Sequence, residues 1–145
     1  MNWIIRSTKK LKFHTNLEVL LKPIEDELTK FNWLMSDLEI LTDRMEELPI
    51  NYTKDWFILS QAEIEKIRKL DTQFVWGIIS AYDKSQKIDF NIHNLPYAEG
   101  NPNVWEDNHF QNYLTEIEII AWDSSYTIVK FKDERLSNKF KEYFN

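Results

Sequence analysis

An α+β fold is what this sequence predicts: a single domain over residues 1–145, mainly an antiparallel sheet built of hairpins, with helices packed on one face. Three observations predict it. From Glu116 to Phe144 two alternating segments, a three-residue turn and an amphipathic helical pattern follow one another without a gap. Upstream, two further helical patterns are interleaved with short apolar runs of strand length, a mixture that layers helices on a sheet. Finally, 145 residues with 43% hydrophobic and 29% charged side chains suit one core, since a chain of this length buries roughly two-thirds of its unfolded surface.

Trp3–Arg6 is a short strand candidate. Leu17, Leu20, Leu21, Ile24, Leu28 and Phe31 recur at helical spacing behind Thr15 or Asn16 as cap, so a core-facing helix is expected over Asn16–Phe31. Pro23 falls inside this pattern. Because it lacks an N–H and crowds the preceding turn, the helix must kink there or restart with Pro23 in its first turn. Trp33–Leu38 reads as a strand. Glu39–Lys54 carries mixed signals and is expected to be irregular, with a helical turn around Leu41–Glu47 that ends before Pro49. Trp56–Leu59 is the next strand. Ser60 and Glu63 have the spacing of a reciprocal cap, with Leu59 and Ile64 placed to staple across it, and Ile64, Ile67 and Leu70 form the buried stripe of the helix that follows.

Phe74–Tyr82 is apolar on both faces and fits a central strand. Asp83–Gln86 turns the chain, and Lys87–His93 alternates, with Ile88, Phe90 and Ile92 inward, so it is expected to pair with Phe74–Tyr82. Residues 94–114 combine two prolines, one of the two glycines, and a run of carboxamides and aromatics; Pro102 can open a short helix within them. In the hairpin, Ile117, Ile119 and Ala121 oppose Glu116, Glu118, Ile120 and Trp122, while Thr127, Val129 and Phe131 oppose Tyr126, Ile128 and Lys130. Asp123, Ser124 and Ser125 are turn formers. Asp133 then caps a helix whose stripe is Leu136, Phe140, Tyr143 and Phe144. Phe74–Tyr82, Lys87–His93, Glu116–Trp122 and Tyr126–Lys132 are therefore expected in one antiparallel sheet, covered by helices over Asn16–Phe31 and Glu134–Tyr143.

The absence of cysteine excludes a disulfide framework, a thiol nucleophile and a thiolate metal site. Gly77 and Gly100 stand alone, so no phosphate-cradling loop, dinucleotide fingerprint or nucleophile elbow can be assembled. His14, His93 and His109 have no ligand spacing between them; His109 alone has near carboxylates, Glu106 and Asp107, a pattern that solvated loop polarity accounts for. No metal and no cofactor are expected. The apolar-rich run Thr72–Tyr82 is too short to span a bilayer and MNWIIRSTKK lacks a signal-peptide core, which predicts a cytoplasmic protein without membrane contact.

Charge is uneven. Between Glu25 and Glu47, eight acids including Glu39, Asp43, Glu46 and Glu47 stand against Lys30 and Arg44, a net −6 that equals the formal charge of the whole chain. The first twelve residues carry Arg6, Lys9, Lys10 and Lys12 without an acid. Such an acidic span repels phosphates and argues against nucleic acid, while a basic protein would be steered toward it. Loop 94–114 is long enough to be functional, and Trp105 within it is a candidate anchor for a partner.

The segments FNWLMSD (31–37), LPYAEGN (95–101) and EIEIIAWDSS (116–125) resemble small bacterial proteins of the toxin-immunity type. That resemblance implies an acidic α+β protein that binds a cognate toxin and blocks its active site, with no chemistry of its own. The binding residues expected on this basis and from the charge pattern are Glu39, Asp43, Glu46, Glu47, Tyr97, Glu99, Trp105, Glu106 and Asp107. An enzyme or small-ligand protein is the alternative, with Glu99, Glu106, Asp107 or His109 as acid and base and Tyr97 and Trp105 as walls. A non-catalytic subunit of a larger assembly is a third.

Overall fold

The computed structural model of the chain describes residues 2–7, 9–50, 53–87 and 94–144. Among these, six strands form one antiparallel sheet: β1 (Asn2–Ile5), β2 (Phe31–Leu41), β3 (Trp56–Leu59), β4 (Gln73–Asp83), β5 (Thr115–Trp122) and β6 (Tyr126–Phe131), in the order β1-β6-β5-β4-β2-β3. The helices are α1 (Leu17–Leu20), α2 (Gln61–Lys69) and α3 (Glu134–Phe144), with 3-10 segments at Lys22–Lys30, Met45–Glu47 and Pro102–Trp105. This is the α+β architecture that the alternation predicts. It is also a larger sheet than the four strands expected, because β2 and β3 extend it beyond β4 and β1 adds to β6.

The C-terminal unit forms as its residues dictate. β5 and β6 pair from Ile117↔Phe131 to Trp122↔Tyr126, and Asp123 and Ser124 between them take φ of +49° and +54°, a left-handed turn that short polar side chains tolerate. The Asp133 carboxylate then accepts the Arg135 N–H at 2.8 Å, capping α3. The reciprocal cap at Ser60 and Glu63 is present in full at the start of α2.

The long first helix is not one α-helix. After α1, whose N-cap Asn16 accepts from the Glu18 N–H at 3.2 Å, the chain tightens into the 3-10 segment with Pro23 in its first turn, and Phe31 already belongs to β2. The proline cannot donate and its ring excludes the preceding α-turn, so the pattern restarts there. The apolar stripe survives: Leu17, Leu20, Leu21, Ile24 and Leu28 are all buried.

β2 is longer than Trp33–Leu38, pairing with β4 from Phe31↔Asp83 to Leu41↔Gln73 with a bulge between Ser36 and Glu39. At the bulge Asp37 has φ +55°, and opposite it Gly77 sits at φ +153°, where an added Cβ would lie 2.5 Å from Leu38 Cδ2. The backbone conformation favours glycine there, while the movable end of the Leu38 side chain is what packs into the space a Cβ would take. The strand expected over Lys87–His93 falls on residues 88–93, outside those described. The two edges of β4 are taken by β2 and β5.

On one face of the sheet, α1, α2, α3 and the Lys22–Lys30 segment bury Ile64, Ile67, Leu136 and Phe140 with Trp33, Met35, Phe74, Ile79, Ile117, Ile119 and Phe131. Phe140 lies 5.3 Å from Phe131 and 4.5 Å from Phe144, ring to ring. The opposite face carries a second, smaller apolar cluster. Ile78, Ile120 and Ile128 from the strands meet Ala98 and Val104 from loop 94–114, flanked by Trp76, Trp105 and Trp122. The loop therefore covers a sheet face and is itself part of the packing.

Candidate functional site

A covering helix satisfies its own backbone, whereas a covering loop leaves N–H and C=O groups that must find partners once buried. The strands supply them. The Ser36 hydroxyl donates to Pro96 O at 2.7 Å, and the Asp37 carboxylate accepts from the N–H groups of Ala98 at 2.8 Å and Glu99 at 3.3 Å. Lys130 Nζ donates to His109 O at 2.8 Å, and Glu118 Oε2 accepts from the Gln111 N–H at 3.1 Å. Gln111 in turn bridges the loop, accepting from the Tyr97 N–H at 2.9 Å and donating to Tyr97 O at 3.0 Å. Four strand side chains thus hold the loop by its backbone.

Glu118 and Lys130 face one another across β5 and β6 and are fully buried, with Lys130 Nζ 3.9 Å from Glu118 Oε1. Burial pushes the Glu118 carboxyl up, against the lowering effect of the Gln111 N–H, Lys130 and Lys132. Burial likewise pulls the Lys130 ammonium down, against the raising effect of Glu118, Glu106 and Asp107. Desolvation outweighs attraction in both, so this pair positions the loop more than it stabilises the fold. Glu118 Oε1 and the hydroxyl of its cross-strand neighbour Ser80 have no hydrogen-bond partner among the described residues.

At the bulge the loop and the acidic strand close a pocket of about 350 Å³. The side chains of Asp37, Lys54, Asp55, Phe57 and Tyr97 line it, with Tyr97 48% exposed. Lys54 offsets one of the two carboxylates and the Asp37 carboxylate already accepts the Ala98 and Glu99 N–H groups, so the pocket keeps only a weak negative bias beside the rings of Phe57 and Tyr97. Glu39, two residues further along β2, is exposed.

The structure divides the residues expected from sequence into three groups. Glu39, Tyr97 and Glu99 gather around Asp37. Asp43, Glu46 and Glu47 lie exposed in the connection from β2 to β3, with Glu47 3.4 Å from Arg44. Trp105, Glu106 and Asp107 belong elsewhere: the ring of Trp105, the candidate anchor, is half-buried and meets Trp122 edge-on at 5.1 Å and Tyr126 at 5.5 Å. Tyr97 and Trp105 accordingly do not wall one cleft. The His109 contribution to the loop is its carbonyl.

The acidic span is also smaller than its formal charge. Glu25 pairs with Lys22 at 3.1 Å and with Arg68 at 3.4 Å, Asp26 with Lys139 at 3.1 Å, and Glu27 with Arg135 and Lys30. The Arg135 and Lys30 hydrogen bonds hold the Glu27 carboxyl down at about 2. Glu39, Asp43 and Glu46 remain without an ion partner among the described residues, so the negative surface is concentrated at the bulge end of β2.

Comparison with protein-family models, with curated proteins and with solved structures finds no match to this chain. Among the described residues no group of three or more His, Asp or Glu side chains stands in ligand geometry, and no helix is long and apolar enough to cross a membrane. Sequence reading passed over Asp37 as an organiser and over Asp55 and Phe57. A signal for Asp37 was present in Gly77, because a lone glycine inside a strand pattern marks a bulge or a close backbone approach.

Proposed function

We propose that this protein is a binding module, an immunity-type inhibitor that acts in the cytoplasm by docking the Asp37, Glu39, Tyr97 and Glu99 corner onto a basic face of a cognate toxin. The observation that carries the reading is the pair of hydrogen bonds from the Ala98 and Glu99 N–H groups to Asp37, which ties the loop segment carrying the exposed Tyr97 and Glu99 to the strand that carries the exposed Glu39. Charge steers association, and a ring next to a pocket supplies an anchor that is already in place before binding. The exposed Leu41, 58% accessible at the end of β2, adds apolar surface near the same acids.

The test is co-expression with the product of a toxin-like reading frame next to this gene, followed by binding of the purified pair. Glu39→Lys with Asp43→Lys should slow association and reduce its salt dependence, while Tyr97→Ala should speed dissociation and weaken binding by about 2 kcal/mol. Trp105→Ala, whose ring is committed to Trp122 and Tyr126, serves as the comparison. If the folded charge and Tyr97 variants bind and protect as the natural protein does, this corner is not the interface; failure of the pair to bind at all removes the inhibitor reading.

A further inference from the structure

A second pocket, of about 470 Å³, lies between β1 with the segment after it and the end of α3. Its apolar lining is Trp3, Ile4, Ile5 and Phe144 over the buried Phe140, and its rim is Arg6, Lys9, Lys10 and Lys141, with no carboxylate among the described lining residues. Lys10 and Lys141 have local reasons to be there. Lys10 Nζ donates to the Tyr143 carbonyl and lies 5.1 Å from that ring, as a cation at a helix C-terminus should, and Lys141 Nζ sits 6.0 Å from the Trp3 ring. Among the described residues Lys9 has no such partner, and Arg6 reaches the Tyr126 ring only at 6.0 Å.

In a chain whose acids outnumber its bases by 24 to 18, four cations without a carboxylate partner among the described residues converge on one aromatic cavity. In the helix layer, by contrast, charges are paired, as at Glu27 and Arg68. A pocket of a few hundred Å³ with an apolar floor and a few convergent charges is the form of a small-molecule site. We propose that this pocket binds a soluble amphipathic anion, an aliphatic or aromatic carboxylate whose tail lies against Trp3, Ile5 and Phe144 and whose headgroup is held by Lys9 and Arg6. This site is distinct from the Asp37 corner and does not depend on it.

The probe is decanoate, titrated below its aggregation concentration into the whole protein while the Trp3 indole N–H, which donates to Ser137 Oγ at 2.9 Å, is followed by NMR. The proposal expects a saturable shift of that signal and of the Lys141 and Phe144 amides, with decanol binding at least tenfold more weakly. Arg6→Glu with Lys9→Glu, both exposed positions, should weaken decanoate at least tenfold while leaving the rest of the spectrum unchanged. Equal affinity for decanoate and decanol overturns the proposal, as does charge reversal without effect. Binding only to vesicles of anionic lipid, with none to monomeric decanoate, overturns it too.

Discussion

The two faces of the sheet are covered by different means, and the strands beneath differ accordingly. Under the helices the strand side chains are mainly apolar, from Trp33 and Met35 on β2 to Val129 and Phe131 on β6, with Thr127 accepting the Thr15 N–H at 2.8 Å just ahead of α1. Beneath the loop the same strands carry Ser36, Ser80, Glu118 and Lys130, all buried, among the isoleucines. A helix closes its own hydrogen bonds and asks only for apolar contact. A loop brings unsatisfied amides and carbonyls, and the strands below it must offer donors and acceptors. The loop face is therefore the more polar interior.

The largest difference should appear on the helix face. Phe140→Ala removes a ring packed on Phe131 and Phe144 and should cost about 3 to 5 kcal/mol, read as a shift of the whole urea transition. An unchanged midpoint would mean that α3 is not docked as described.

Breaking the loop latch should be local in a way that breaking the helix core is not. Lys130→Met leaves Glu118 buried without its counter-charge and frees the His109 carbonyl, a change that costs about 3 to 5 kcal/mol when one partner of a buried pair is removed. Glu118→Gln in the same protein should recover most of that loss, since a neutral amide oxygen can still accept from the Gln111 N–H. Hydrogen exchange should show Tyr97, Ala98 and Gln111 opening faster in the double variant than strand amides of β5. Equal protection throughout would show that the loop is held by its apolar cluster alone.

The same asymmetry decides what could be read from the sequence. The helix face was legible because its signals are periodic: Leu136 and Phe140, Ile64 and Ile67, and the Leu17 to Leu28 stripe announce themselves at helical spacing. The hairpin, its turn and the Ser60 cap followed from short-range chemistry. Glu118 and Lys130 were unreadable for the opposite reason. At alternate positions in a strand they look like a solvated face, and only the 94–114 loop, brought over them by long-range contacts, makes them interior. Two residues hinted otherwise, Ile120 and Ile128, apolar on a side that water would not favour. The acidic span misled in a similar way. Glu25, Asp26 and Glu27 are adjacent to acids in the sequence, while Arg68, Arg135 and Lys139, which neutralise them, come from other elements.

The smallest effect is one of pH, and it carries opposite signs on the two faces. Glu27, at the helix layer, has its carboxyl lowered from 4.5 to about 2 by Arg135 and Lys30, so its contribution is present above the unfolded value and lost as pH falls toward 2. Glu118, beneath the loop, is raised by burial, so the folded state takes up its proton before the unfolded chain does, and the stability linked to that proton is lost as pH rises through the folded value. Between about pH 4.5 and 2, Glu27→Gln should therefore flatten the acid loss of stability. Above about pH 4.5, Glu118→Gln combined with Lys130→Met should instead remove the gain in stability that Glu118 protonation brings as pH falls toward that value. Urea midpoints of the three proteins across both ranges test both signs. Two variants that shift the acid limb in the same direction would show that the faces do not titrate independently, and that the buried pair and the Glu27 network are coupled through the sheet.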